Sequence, residues 1–410
     1  VIMSNLVLPD GTKEVNVTLD GVFQFKSNTN QLNLENPNNP QHLLSFFLDD
    51  SQVCCEYAPG RIASLKIYDG IICPPPPTPT PTPTPTPAVG GYFAGGTTSS
   101  AVATADKTVY STDTTTAQTT ANLSQARSGL AGCTGDGTKG YFAGGITTTE
   151  VVTTDKLIYS TETTSAQVSA NLSQARRYLA GVSEGTFKGY FAGGGASTTN
   201  LETADKLTFS TDTTAAQTTA NLTQARVGLA GISQGGTKGY FAGGNLTGTN
   251  YVKTTDKLIY STDATSAKTT ANLTQARSGL AGCSGEGTKG YFAGGWTNTS
   301  SEVVTTDKLV YSTDITSAQT SANLTVAKYN LSAISNSSSK GYFSGGQTGV
   351  VKSSAANKIT YSTDVTVAQT TADLSQARSG LAGVNGAVSS PPPLQKYVWG
   401  YANHKDCECG

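Results

Sequence analysis

The chain has 410 residues, a formal net charge of −1 and 13% charged residues, against about 25% in an average soluble protein. It contains no basic cluster and no apolar run of 18 residues, which argues against nucleic acid or an anionic membrane as partner and against a transmembrane helix. Solubility rests instead on Ser, Thr, Asn and Gln, and no charged-then-apolar leader follows Val1, so no signal peptide is expected.

Residues 1–73 read as a small β-rich domain of five or six strands. EVNVTLDGVFQFKS, residues 14–27, alternates apolar and polar positions on both sides of Asp20-Gly21, a hairpin signal. Further apolar runs follow at 43–48, 52–57 and 62–73. Cys54, Cys55 and Cys73 lie here; a disulfide Cys55–Cys73 or Cys54–Cys73 fits, and the sequence does not choose between them. Residues 74–88 are a linker of four prolines and then alternating Thr-Pro. Proline fixes φ and removes the N–H donor, so this arm is expected to be extended polyproline II. Its first fourteen residues span roughly 43 Å at about 3.1 Å each. Such an arm would hold the rest of the chain away from an assembly that the first domain grips as an anchor.

Residues 89–388 are an internal repeat. GYFAGG starts at Gly91, Gly140, Gly189, Gly239 and Gly290, and GYFSGG at Gly341, with spacings of 49, 49, 50, 51 and 51 residues. Each period holds four short β-prone pieces: GLAG with its next residues, KGYFAGG, DKLIYST and AQTTANL. None has helical periodicity. Four strands in about 50 residues, six times over, predict an all-β fold, a six-bladed β-propeller. The array opens on a second strand and ends with a spare first strand at 379–388. Pairing these two would complete the sixth blade and remove an open seam. Side-chain alternation sends Phe to one blade face and Tyr to the other, so blades should stack through aromatics. GLAG leaves room at the axis, and Thr-rich AQTTANL forms the wet outer edge.

The repeat resembles the kelch repeat. The resemblance rests on Gly144-Gly145 ending an apolar strand, Tyr159 in the next strand and Arg176 before the following blade, with Phe209 standing for the Tyr in the third copy. It departs where kelch repeats carry a Trp, here Ala166-Gln167. YFxGG arrays also resemble those of phage virion and tail-fibre proteins. The kelch likeness implies a propeller over about 300 residues; the phage likeness implies a virion or extracellular location.

Composition gives little support to catalysis. The two histidines, His42 and His404, lie outside the repeats, so the copper ligands of a galactose-oxidase-like propeller are missing. Arg127, Arg176, Arg226, Arg277 and Arg378, with Lys328 in the remaining copy, recur in every blade. A sixfold residue is expected to be structural, bonding loop carbonyls or covering a neighbouring Tyr; a ring of cations that binds an anion is the other reading. The Asp-Lys pairs from Asp106-Lys107 to Asp307-Lys308, with Asn357-Lys358 last, are expected to bond turns. The NLS and NLT triplets are explained by repetition, with Asp373 in the sixth copy. Cys133 and Cys283 take positions held elsewhere by Val182, Ile232, Ile334 and Val384, and are expected in the core. Cys407 and Cys409 beside His404 are a weak metal signal, and no metal or cofactor is expected. After the array, a tail at 389–410 carries Tyr397, Trp399 and Tyr401, an aromatic group expected to pack on the protein or on another subunit.

Length variation identifies a surface. From each DK Asp to the next GYF glycine the distance is always 34 residues. All the variation lies in the loops 97–105, 146–154, 195–204, 245–255, 296–306 and 347–356, which have 9, 9, 10, 11, 11 and 10 residues. Strand direction puts the six on one face, and they hold Tyr251, Lys253 and Trp296, the expected ligand-binding residues. The sequence favours a non-enzymatic binding protein that recognises a host glycan or protein, in the manner of a phage fibre or spike. A structural or decorating subunit of a virion or extracellular layer is the alternative, and association with further copies is compatible with either.

Overall fold

A double glycine ends the second strand of every repeat and sets the course of the chain. In the computed structural model of this protein, Gly144 and Gly145 have φ of 67° and 103°, values open to glycine. The turn they make brings the Gly145 N–H to the Arg176 carbonyl at 2.9 Å. The structure describes the backbone of residues 2–7, 13–19 and 22–28, and residues 89–386 apart from 249, 286, 300 and 337. The chain divides into two compact units, residues 1–82 and 83–410.

In the first unit Ile2–Val7, Lys13–Leu19 and Val22–Asn28 form an antiparallel sheet in that order. Leu19 pairs with Val22, the antiparallel pairing expected of the hairpin read from the sequence. The strand Ile2–Val7 precedes the pattern recognised in the sequence. The runs at 43–73, the linker, the tail and Cys54, Cys55, Cys73, Cys407 and Cys409 lie outside the described residues.

The second unit is a six-bladed β-propeller of four-stranded antiparallel sheets, the last extended by a short strand, Val351–Lys352, on its second strand. Blades II to VI occupy residues 131–166, 180–216, 230–267, 281–318 and 329–368. Blade I is built from both ends of the array: Ala382–Asn385 pairs with Gly90–Ala94, Val384 opposite Tyr92, followed by Ala105–Val109 and Thr114–Ala117. This is the closure expected from the spare strand.

The outer strand differs from its expected place. It is Thr114–Ala117 and its counterparts, while Thr119–Ala121, inside the AQTTANL phrase, forms a 3-10 turn that buries Ala121. The turn has a partner: Thr164 Oγ1 of the next blade donates to the Ala121 carbonyl at 2.8 Å. The axial glycines also have another cause. A Cβ on Gly132 would lie 2.0 Å from the Gly383 carbonyl oxygen, so glycine is there because neighbouring inner strands touch.

Blades stack through their aromatics. Tyr92 lies against Tyr159, Tyr141 against Phe209, and the other seams match, with centroids 5.7–6.1 Å apart and near-parallel rings. Each such pair adds about 0.5–1.5 kcal/mol beyond its burial. The intervening Phe faces the opposite way: Phe142 packs with Tyr92, Leu123 and Val384 of blade I. Cys133 and Cys283 are buried in this core.

Removing residues 379–410 takes the inner strand from blade I and leaves the edge of Gly90–Ala94 unpaired. We expect aggregation or loss of cooperative unfolding, read by light scattering and calorimetry; a soluble monomer with unchanged Tm would refute the role given to closure.

Candidate ligand-binding face

The recurring arginines are internal. Arg127, Arg176, Arg226, Arg277 and Arg378 are fully buried. Each follows the outer strand of one blade and sends its guanidinium into the next. Arg176 donates to the Phe191 carbonyl at 3.0 Å and pairs with Asp205 at 2.9 Å. The other pairs are Arg127–Asp155, Arg226–Asp256, Arg277–Asp307 and Arg378–Asp106 at 2.8–2.9 Å. Each of these arginines has its own carboxylate, so the reading as an anion-binding ring of cations is overturned. The Asp of the DK pair lies in the third strand rather than in a turn, and that expectation is corrected too. It also accepts from the preceding connection, as Asp205 does from the Ser173 N–H at 3.2 Å. In the sixth seam both partners change. Lys328 reaches the Ala355 carbonyl at 2.7 Å, Asn357 replaces the carboxylate, and burial, opposed by Asp373, pushes the Lys328 ammonium down to about 8. The NLS and NLT asparagines accept the N–H that begins the third strand, for example Asn171 from Thr154 at 2.9 Å. Asp373 accepts the same way at 2.8 Å, since only an acceptor is needed.

A second set of charges crosses each seam at the opposite face, and sequence reading missed it. The last residue of the YSTD phrase adopts a left-handed conformation, φ 53° at Asp212, which Asp tolerates. Its carboxylate accepts from Lys139 at 3.0 Å, Tyr141 at 2.5 Å and Lys156 at 2.6 Å of the preceding blade. Asp113, Asp263, Asp314 and Asp364 repeat this. Between blades I and II, Gly90 stands where the other copies have the first Lys. There the longer Glu162 reaches Tyr92, Lys107 and Gln118. Burial raises the Asp212 pKa, but the bonds from Lys156, Tyr141 and Lys139 outweigh it and hold the carboxyl at about 2. The only advance signal was the recurrence of the Asp itself.

The loops after the double glycine carry the sequence-predicted binding residues. Lys253 is exposed, and Tyr251 and Trp296 are half-buried. Trp296 opposes Ser278 in a short strand pair and meets Tyr329 of the next blade edge-on, centroids 4.9 Å apart. The Tyr251 N–H donates to Asn298 Oδ1 at 3.0 Å. Asn200 Nδ2 donates to the Asn245 carbonyl at 2.9 Å, and the Gly349 N–H to Glu302. The loops of blades III to VI are thus bonded side to side. Burial raises the Tyr329 phenol, its bond with Gln347 opposes this, and Glu302, Tyr178 and Tyr251 raise it further. Tyr178 and Tyr329 were not singled out in the sequence, although they replace small residues of the repeat. Among the described residues no three His, Cys, Asp or Glu are placed to share a metal, and no helix is long and apolar enough to cross a membrane.

No protein-family model and no curated protein matches the chain. Among solved structures that do match is one titled "Structure of YjhT", 13% identical, covering 69% of this chain and 98% of that one with a TM-score of 0.55. At that identity the likeness extends to the propeller fold alone.

Two expectations follow from the seam charges. Arg176→Met strands a buried Asp205 and should cost about 3–5 kcal/mol. The double variant Arg176→Lys with Asp205→Asn copies the sixth seam and should cost less than that single change; a double variant equal to the sum of both singles in denaturant unfolding would contradict this. Second, Asp113, Asp212, Asp263 and Asp364 titrate at about 2 folded, against an ordinary 3.8. Their stabilisation is complete above about pH 5 and is lost as pH falls towards 2. Tm should be flat from neutrality to about pH 5 and then drop, and Asp212→Asn should reduce the drop.

Proposed function

We propose that this protein is a non-enzymatic binding protein: an anchored, stalked, kelch-like propeller that recognises a host surface glycan or protein. A phage fibre or spike component at a virion or extracellular surface is the setting that fits it best. Residues 1–73 would join it to its assembly. The observation that carries the reading is the division between the faces. The seams repeat one set of Arg, Asp, Lys and Tyr contacts almost unchanged, while loop length varies on a single face, the face that also carries Tyr251, Lys253 and Trp296. Rigid scaffolds carry recognition on such loops.

The alternative, a decorating subunit without a ligand, draws on one feature. Ile315, Val326, Val365 and Val367 are exposed on blades V and VI, where most other blades carry Thr, Ser or Gln.

Replacing Trp296, Tyr251 and Lys253 together by Ala should abolish binding of the full chain to host cells or a glycan array. It should lower Tm only slightly, through the lost Trp296–Tyr329 contact, worth about 0.5–1.5 kcal/mol. Retained binding would place recognition elsewhere, and a wild-type chain that binds no host surface would favour the decorating role.

A further inference from the structure

We propose that the axial mouth on the loop face, between Tyr178 and Asn330, is a binding site for a single neutral pyranose sugar. This rests on the loop face being the recognition face, and it names residues and a ligand class there.

Six backbone hydrogen bonds close a ring around the mouth. The N–H of Gly129 meets the carbonyl of Gly380 at 2.7 Å, Tyr178 meets Gly129 at 2.5 Å, and Gly228 meets Tyr178 at 2.8 Å. Gly279 meets Gly228 at 2.7 Å, Asn330 meets Gly279 at 2.7 Å, and Gly380 meets Asn330 at 2.8 Å. All six residues sit at φ between 51° and 70°. Four are glycines, which adopt this conformation freely. Tyr178 and Asn330 do so as well, at 51° and 53°, and for a residue as bulky as Tyr this carries a backbone penalty. The ring does not need them, since four sister positions close it with glycine.

Blades III and VI stand opposite each other, so the two departures face across the axis. A Cβ on Gly129 would lie 3.2 Å from the Tyr178 ring, and one on Gly279 would lie 2.8 Å from Asn330 Oδ1, so both side chains lean along the rim. Among the described residues neither the Tyr178 hydroxyl nor the Asn330 amide has a hydrogen-bond partner. Both are half-buried. The Arg177 guanidinium lies 5.9 Å over the Tyr178 ring and 3.4 Å from Glu150, so this cation is already matched. Beneath lies a cavity of about 140 Å³ walled by Gly, Leu and Ala of the inner strands.

These features select a ligand class. An aromatic face suits the C–H face of a sugar ring. An unengaged amide and phenol supply donors and acceptors for hydroxyls. The six rim residues are uncharged and Arg177 is paired with Glu150, which disfavours phosphates and dicarboxylates, and the ring's main-chain groups are already bonded to one another.

The test uses the full chain with free glucose, galactose, mannose and N-acetylglucosamine at millimolar concentration, followed by saturation-transfer NMR. At least one sugar should bind. Tyr178→Gly and Asn330→Gly should each weaken it about tenfold or more, while Tyr178→Phe keeps most of the affinity. Because glycine is the sister residue, Tyr178→Gly should leave Tm unchanged or raised. Undiminished sugar affinity in Tyr178→Gly, or a fall in Tm that accounts for the loss, would overturn the proposal. So would the absence of any sugar signal with the wild-type chain. If that chain nonetheless bound host cells and lost the binding on substitution of Trp296, Tyr251 and Lys253, the loop-face reading would stand without this site.

Discussion

The propeller depends on one buried Arg–Asp ion pair used again at five of its six seams. The main-chain carbonyl of each Arg accepts the second N–H of its own blade's double glycine, and its guanidinium enters the next blade to meet a Phe carbonyl and an Asp. One residue therefore fixes the turn that ends the second strand and the angle at which the next sheet arrives. Arg378 performs this between blades VI and I, meeting Phe93 and Asp106, so ring closure uses the same chemistry as the four other Arg–Asp seams. A buried ion pair need not add much net stability over an apolar pair. Its value here is geometric, because an unmatched guanidinium at this depth would be costly.

Closure of the ring constrains everything else. The outer parts of each seam carry the Asp, Lys and Tyr clusters, the middle carries the stacked aromatics, and the axis carries glycines in van der Waals contact with the neighbouring strand. Each layer tolerates little change because six copies must meet at equal angles. The sixth seam illustrates the tolerance: Arg and Asp become Lys328 and Asn357 together, so neither is left facing its usual partner alone. Glu162 shows the same adjustment, its extra methylene serving the seam where Gly90 has replaced a lysine.

A scaffold this uniform leaves its individuality to positions outside the seams. These are the loops after the double glycine and the residues that lead into the inner strands. Trp296, expected among the ligand-binding residues, also braces the blade V–VI seam through Tyr329 and is half-buried. Tyr178 and Asn330 are more telling, because they occupy backbone conformations better suited to the glycine found in the other blades.

Blade number, closure by the spare strand, the hairpin at Asp20-Gly21 and the inward placement of Cys133 and Cys283 were all legible in the sequence. Each follows from local rules: a repeat length, a two-residue side-chain alternation, a turn dipeptide. The partners of Arg176 and Asp212, the 3-10 turn inside AQTTANL and the ring through Tyr178 and Asn330 were decided only by the tertiary structure. Arg176 and Asp205 are 29 residues apart, and Tyr141 and Asp212 are 71 apart. Such pairs meet only when two blades are set side by side. A sequence pattern can show that these residues recur; which recurring residues touch is settled by the angle between sheets, and that angle exists only once the ring has closed.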